Sequence, residues 1–195
     1  GDFAPYTSQN GNTNLGVYQY QGTGGKLYYM DGLIDQVRIF NRALLTDNGG
    51  VDEINTLYSE TAISHTGTTD TQDYPATNLA YYQLDSSADD THSGTYNGTE
   101  SNITYEFGRF GTAAVFNGSS SFINTNFTVP SSSTFSISWW MNASPSGGGS
   151  DNDYIMSDVN SAGSGDSFNI YLNGSSMGFS GTGISSGGGV VSNCT

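Results

Sequence analysis

One run of residues, Asp31 to Leu44, constrains the fold more than any other part of the sequence. Its middle alternates as a β-strand does, and the predicted faces are Leu33, Asp35, Val37 and Ile39 on one side and Ile34, Gln36, Arg38 and Phe40 on the other. This pattern places the carboxylate of Asp35 among aliphatic side chains. Because a buried charge without a partner is strongly unfavourable, a metal ion, an arginine or backbone N–H groups must lie beside it.

The composition favours an all-β fold and excludes some partners. The chain has 195 residues, of which 18 are acidic and 4 are Lys or Arg, so its net charge is -14. Nucleic-acid binding requires a basic surface, and docking on anionic lipid requires one as well, so neither is expected. No apolar run approaches the length of a membrane span, so membrane insertion is not expected either. Gly, Ser, Thr and Asn are abundant, and 13% of the residues are aromatic. That mixture is typical of short strands joined by polar turns.

Two further segments have a clear periodicity. Thr134 to Asn142 alternates, so that Phe135, Ile137, Trp139 and Met141 share one predicted face and Trp140 lies on the other. In Val51 to Tyr58 the apolar residues recur at helical spacing instead, which predicts one short helix near 51–60. The predicted fold class is therefore all-β, an antiparallel sandwich with a single short helix.

Two motifs resemble a known family. The run Gly32-Leu33-Ile34-Asp35-Gln36-Val37-Arg38-Ile39-Phe40-Asn41-Arg42-Ala43-Leu44 is similar to the closing strand of LamG-like, concanavalin A-like lectin/glucanase domains of bacterial and phage surface proteins. Gly108 to Gly118 resembles an earlier motif of that family, Gly-x-Phe-Gly-x-Ala-x-x-Phe-(Asp/Asn)-Gly. The resemblance implies a jelly-roll sandwich, and it concerns the fold rather than an activity.

The resemblance places these motifs in swapped order along the chain. Elements like the family's closing strands occupy residues 1–62, a polar stretch at 63–77 is typical of a linker, and elements like its opening strands occupy residues 78–195. Two interpretations stay open. The chain is a segment of tandem repeats, with the end of one repeat and the start of the next, or it is a permuted unit. Because half-sandwiches expose long strand edges, the tandem-repeat interpretation includes strand exchange between copies.

A calcium site is the metal hypothesis that the sequence supports best. Ca²⁺ binds six to eight oxygen atoms from carboxylates, amides and carbonyls. The resemblance implies that the strands of Asp35 and Asp85 lie side by side, and Asn117 could add an oxygen from a loop. The alternative is that Asp35 accepts hydrogen bonds from arginine or backbone groups.

Carbohydrate binding is the ligand hypothesis, because aromatic rings stack on sugar faces while amides and carboxylates bind the hydroxyls. The candidate ligand-binding residues are Trp140, Tyr154, Tyr18 and Tyr20. For Trp140, packing under a loop is the alternative. Glycoside hydrolysis needs two carboxylates across a cleft, and catalytic relatives carry Glu-x-Asp-x-x-Glu on one strand, a run that this sequence lacks. We therefore expect no enzymatic activity.

The sequence thus predicts a non-catalytic carbohydrate-binding or adhesion module on a virion or bacterial surface. Its expected partners are glycans or polysaccharide and further copies of the same protein, and its expected location is extracellular, on a cell surface or on a virion. Two alternatives stay open. The chain is a structural repeat that builds a fibre or appendage by strand exchange, or it is an accessory domain of a polysaccharide-degrading enzyme.

Overall fold

The computed structural model describes residues 12–19, 25–60, 78–128, 134–144, 152–158, 168–174 and 176–180. Their elements are β1 (Thr13–Leu15), β2 (Tyr18–Gln19), β3 (Lys26–Leu27), β4 (Asp31–Phe40), α1 (Glu53–Tyr58), β5 (Asn78–Tyr82), β6 (Thr99–Ser101), β7 (Thr104–Phe107), β8 (Thr112–Asn117), β9 (Phe122–Asn124), β10 (Ser136–Ala143), β11 (Asp153–Asp158), β12 (Asn169–Asn173) and β13 (Ser176–Ser180). The predicted all-β class with one short helix near 51–60 is confirmed. No helix in the described ranges is long and apolar enough to cross a membrane.

The strands form two antiparallel sheets that pack as a sandwich. One sheet has six strands in the order β13-β12-β11-β1-β9-β6. The other has the order β10-β4-β8-β7, with β5 also paired to β4. A small third sheet joins β2 to β3. The core between the large sheets contains Ile34, Tyr82, Phe116, Ile123 and Ile155, each 1% exposed or less.

Strands from the two halves of the sequence lie in the same sheets. β4 pairs with β5, β8 and β10, and β1 pairs with β9 and β11. The described parts of residues 13–40 and 78–180 therefore share one core. The predicted linker at 63–77 lies outside the described residues, and the division of the chain into parts of two repeats, 1–62 and 78–195, stays a prediction.

The prediction that Asp35 shares a face with Val37 and Ile39 is wrong, because β4 contains a β-bulge. Across the β4–β10 ladder Arg38 pairs with Ser138 but Asp35 pairs with Trp140, so β4 has one extra residue there. Gln36 adopts the left-handed conformation with a φ of 53°. The extra residue reverses the alternation, so that Val37 joins Ile34 in the core while Asp35 turns outwards with Leu33.

The face assignment in β10 is confirmed. Phe135, Ile137, Trp139 and Met141 pack against the core, and Trp140 lies on the other side of the strand. Strand β10 is the neighbour of β4, and Trp140 pairs with Asp35 across the two strands. Asp35 and Trp140 therefore lie side by side on the outer face of the five-stranded sheet, where Asp35 is buried and Trp140 is half-buried.

Candidate functional site

A groove of about 830 Å³ lies against the outer face of the five-stranded sheet and continues around its edge strand β10 to Ile137, Trp139, Met141 and Met177. Strands β4 and β10 contribute Leu33, Asp35, Arg38, Ser136, Ser138, Trp140 and Asn142 to its lining. Helix α1 contributes Ile54, Leu57 and Tyr58, and the turn after β7 contributes Gly108 and Arg109 beside Phe107. The groove thus combines aromatic, hydroxyl, amide and charged side chains from distant parts of the sequence.

Trp140 lies in the middle of an aromatic cluster in this groove. The guanidinium carbon of Arg109 is 3.9 Å from the centre of the indole ring, a close cation–π contact. The ring of Tyr58 lies 5.9 Å from that of Trp140, and the ring of Phe110 lies 6.2 Å away on another side. Trp140 is half-buried. The residues around it therefore limit how much of its ring a ligand can reach.

The outer parts of the cluster are much more exposed than Trp140. The ring of Tyr58 is 71% exposed, and Phe107 is 93% exposed. Ile54, one helical turn before Tyr58, is 50% exposed. Large apolar residues are seldom grouped on a free surface, and such a patch marks a binding surface. Tyr58 and Phe107 thus offer the accessible rings of this groove.

Helix α1 is held in place by a polar network around Glu53. Oε1 of Glu53 accepts a hydrogen bond of 2.6 Å from Arg42, and Oε2 accepts bonds from Arg42 and from the backbone N–H of Leu45. Asn48 donates to Oε1 at 3.1 Å. These bonds lower the pKa of Glu53 to about 2, with the Arg42 side chain as the largest cause.

At the start of the helix Asp52 accepts the N–H of Asn55 at 2.8 Å, as an N-cap does.

Asp35 binds the backbone of the turn that carries Arg109. Its Oδ2 accepts the N–H of Phe110 at 2.9 Å, while its Oδ1 is buried without a hydrogen-bond partner. Asp35 is 2% exposed, and its burial raises its pKa to about 6; the hydrogen bond from Phe110 opposes this shift, and the charge of Asp85 adds to it. Asp35 therefore accepts a hydrogen bond from the backbone, as the alternative to a metal site in the sequence analysis predicted.

Asp85 binds the same turn two residues further on. Its Oδ1 accepts the N–H of Thr112 at 2.9 Å, and its backbone carbonyl accepts the hydroxyl of Thr112. Gly111 lies between these contacts with a φ of 69°, and a Cβ there would come within 2.2 Å of Oδ1 of Asp85. The turn from Gly108 to Thr112 is thus held by two carboxylates and requires glycine at its closest approach.

Asn117 does not join Asp35 and Asp85. It pairs with Asp31 across the β4–β8 ladder, which is about 13 Å along β4 from Asp35 at the usual rise per residue. Its side-chain oxygen accepts N–H groups of the following turn, from Ser119, Ser120 and Ser121. Among the residues with described positions, no group of three or more His, Cys, Asp or Glu could hold a metal ion. Calcium beside Asp35 and Asp85 stays a prediction.

Arg38 lies at the other end of the groove and is almost fully buried. Its guanidinium donates to Glu60 at 2.8 Å and to the hydroxyl of Tyr81 at 3.1 Å. The Tyr81 hydroxyl in turn donates to Oε1 of Gln36, the bulge residue. The side chain of the bulge residue therefore accepts a hydrogen bond from Tyr81 on β5, and this bond helps to stabilise the unfavourable φ of Gln36.

A second aromatic surface lies on the six-stranded sheet and contains two of the predicted ligand-binding residues. The ring of Tyr18 is 4.7 Å from that of Tyr154, and the rings of Tyr28 and Tyr171 lie 6.0 and 5.4 Å from Tyr154. Tyr28 is 41% exposed, and the other three are half-buried. We call these four residues the tyrosine cluster. Tyr20 lies outside the described residues.

Sequence reasoning found Trp140, Tyr18 and Tyr154 but missed Arg109, Tyr58 and Phe107. A signal for Tyr58 was present, since Ile54 and Tyr58 are four residues apart and share a helix face, but the helical pattern by itself does not say which apolar face is covered. Arg109 and Phe107 come close to Trp140 only through the pairing of β4 with β8 and β10. Comparison with known proteins adds nothing to this assignment: no family model, curated protein or solved structure matches the chain.

Proposed function

We propose that this chain is a non-catalytic carbohydrate-binding and adhesion module, displayed outside the cell, on a cell surface or on a virion. Its glycan would bind in the groove beside Trp140. The observation that carries the proposal is the grouping of exposed aromatic rings with hydroxyl and amide side chains in one open groove. A sugar offers an apolar face and a rim of hydroxyls, and this combination is complementary to both.

The aromatic contribution comes from Tyr58 and Phe107. Both are highly exposed, and Tyr58 is supported from behind by the Trp140 ring at 5.9 Å. A ring that already packs against a neighbour loses little conformational freedom when a sugar stacks on it, so the entropic cost of binding is smaller. The Arg42–Glu53 ion pair helps to keep Tyr58 in position by tying α1 to the segment that follows β4.

The polar contribution comes from β10. Ser136, Ser138 and Asn142 line the groove on the same side of the strand as Trp140. The hydroxyl of Ser136 accepts the N–H of Leu44 at 3.0 Å and also fixes the segment that leads to α1. Hydroxyl and amide groups both donate and accept hydrogen bonds, as sugar hydroxyls require.

The state of Asp35 supports binding rather than hydrolysis. It is the one acidic residue among the described residues that line the groove, and the Phe110 N–H occupies one of its oxygens. A glycosidase needs a second carboxylate about 5–10 Å away on the other side of the scissile bond. We therefore propose a binding site in which Asp35 positions the turn of Arg109.

The test is a glycan array followed by titration calorimetry with the best ligand, with and without a chelator. We expect Tyr58→Ala to weaken binding about tenfold, and Tyr58→Phe, which retains the ring, to bind nearly as the native protein does. A chelator that abolishes binding would show that calcium is part of the site. No binding to any glycan under either condition would overturn the proposed function.

A further inference from the structure

We propose that the groove selects glycans that carry a negative charge, a carboxylate or a sulfate ester, and that Arg109 binds this group. The inference rests on the proposed function and names the class of sugar. It comes from the position of Arg109, from the distribution of the few cations in the chain, and from the chemistry of a stacked guanidinium.

Arg109 is an exposed cation for which the described part of the chain provides no ion pair. The Cζ atom of its guanidinium lies over the ring of Trp140, 3.9 Å from the ring centre, and 5.5 Å from the centre of the Phe110 ring. Stacking uses the face of the guanidinium and leaves its N–H groups at the edge for an acceptor. Arginine binds carboxylates and sulfates through two parallel hydrogen bonds, so a stacked and oriented guanidinium is well suited to them.

The other two arginines at this face are already paired. Arg42 binds Glu53 at 2.6 Å, and Arg38 binds Glu60 at 2.8 Å. The chain has 4 cationic side chains and a net charge of -14, so an anionic ligand is repelled by most of the surface. Arg109 thus places a positive charge in the groove of an otherwise acidic protein, beside the exposed rings that would hold the sugar.

The charges beside this turn that oppose such binding are those of Asp35 and of Asp85, whose Oδ1 accepts the N–H of Thr112. Asp35 lines the groove but is 2% exposed, and its Oδ2 faces the backbone of Phe110. Oδ1 of Asp35 is buried as well. The anionic group would therefore bind at the rim, over Arg109 and Trp140, rather than deep in the groove beside Asp35. Tyr58 lies close enough to Trp140 to contact the sugar ring that carries the charge.

The experiment compares three trisaccharides of the same sugar and linkage: the uronic acid, its neutral form with the carboxylates reduced to alcohols, and the neutral form with a sulfate ester. We expect the acidic forms to bind about tenfold more tightly than the neutral one, with an advantage that decreases as salt is added. Preference for the uronate over the sulfate, or the reverse, identifies which group Arg109 recognises, and either supports the proposal.

Arg109→Gln should reduce the ratio of acidic to neutral affinity about tenfold. Lys26→Gln is the matched control, because it removes the same charge from a cation that stacks on Phe122 at 4.3 Å, beside the six-stranded sheet. It should leave the ratio unchanged. Equal binding of neutral and acidic forms, or equal effects of the two substitutions, would overturn the inference while the glycan-binding proposal stands. Failure of all three sugars and of the array would overturn both.

Discussion

The backbone N–H of Phe110 donates to Oδ2 of Asp35 at 2.9 Å, although 75 positions separate the two residues in the sequence. This bond ties the turn after β7 to the bulged centre of β4. It thereby sets the position of Arg109, whose guanidinium lies on Trp140 of the neighbouring strand. A buried carboxylate and an exposed aromatic surface are thus connected through one short turn.

We predict that ionisation of Asp35 destabilises the fold. Its folded pKa of about 6 lies above the ordinary aspartate value of 3.8, so between these values the folded state binds more protons than the unfolded state. Stability from this group is therefore fully present below pH 4 and is lost as the pH rises to about 6. At roughly 1.4 kcal/mol per pKa unit, the loss is about 3 kcal/mol.

Urea unfolding of the native protein and of Asp35→Asn between pH 4 and 7.5 tests this prediction. The variant should gain stability relative to the native protein as the pH rises. Asp31→Asn is the control, since Asp31 is an exposed carboxylate at the start of the same strand. Parallel pH curves for the native protein and Asp35→Asn would contradict the prediction.

Glu53 should have the opposite pH dependence. Its pKa is lowered to about 2 from 4.5, so it stabilises the fold above pH 4.5, and this contribution is lost as the pH falls towards 2. Glu53→Gln removes the charge that binds Arg42 and should lower the urea midpoint at pH 7. Below pH 3 the difference should diminish. Glu106→Gln is the control, because Glu106 is an exposed carboxylate on β7, and it should leave the urea midpoint unchanged at both pH 7 and pH 3. An equal loss of stability in the Glu53 and Glu106 variants would refute the role of Glu53.

Gly16 should tolerate no side chain. Its φ is 77°, and an added Cβ would lie 2.1 Å from Cδ1 of the buried Phe116 ring. Gly16→Ala should therefore cost about 2–4 kcal/mol in unfolding free energy, from steric overlap and from the left-handed backbone. Gly49→Ala is the matched control, because Gly49 has a φ of 64° with nothing within 4 Å. It should cost about 1 kcal/mol. Similar losses in the two variants would show that the backbone conformation alone decides the effect.

The tyrosine cluster is predicted to be a second glycan contact, as the sequence indicated for Tyr18 and Tyr154. Tyr154→Ala should weaken binding of a long oligosaccharide roughly threefold to tenfold, because one stacking ring is lost. Tyr154→Phe keeps the ring and should bind as the native protein does. A trisaccharide that fills only the groove should not distinguish Tyr154→Ala from the native protein. If Tyr154→Ala binds the long ligand normally, the cluster is a packing feature of the six-stranded sheet.

The strands were more predictable than the site. Alternation in residues 33–40 and 135–141 indicated β4 and β10, because a strand that is buried on one face must place apolar residues at every second position. The same rule failed at Gln36, since a bulge adds one residue and reverses the faces without a change in composition. The burial of Asp35 was predicted correctly, but its neighbours were not: it faces the turn at Phe110 rather than the aliphatic side chains of Val37 and Ile39.

By itself, the sequence determined that the chain forms antiparallel strands with one short helix and that Asp35 is withdrawn from water, because periodicity, turn residues and helix spacing are local properties. Only the tertiary structure decided which face Asp35 occupies, that Asp85 binds the same turn, and that Arg109, Tyr58 and Trp140 share one groove. Those relationships depend on strand register and on contacts between residues far apart in sequence. No local pattern encodes them, since each results from the packing of the whole sandwich.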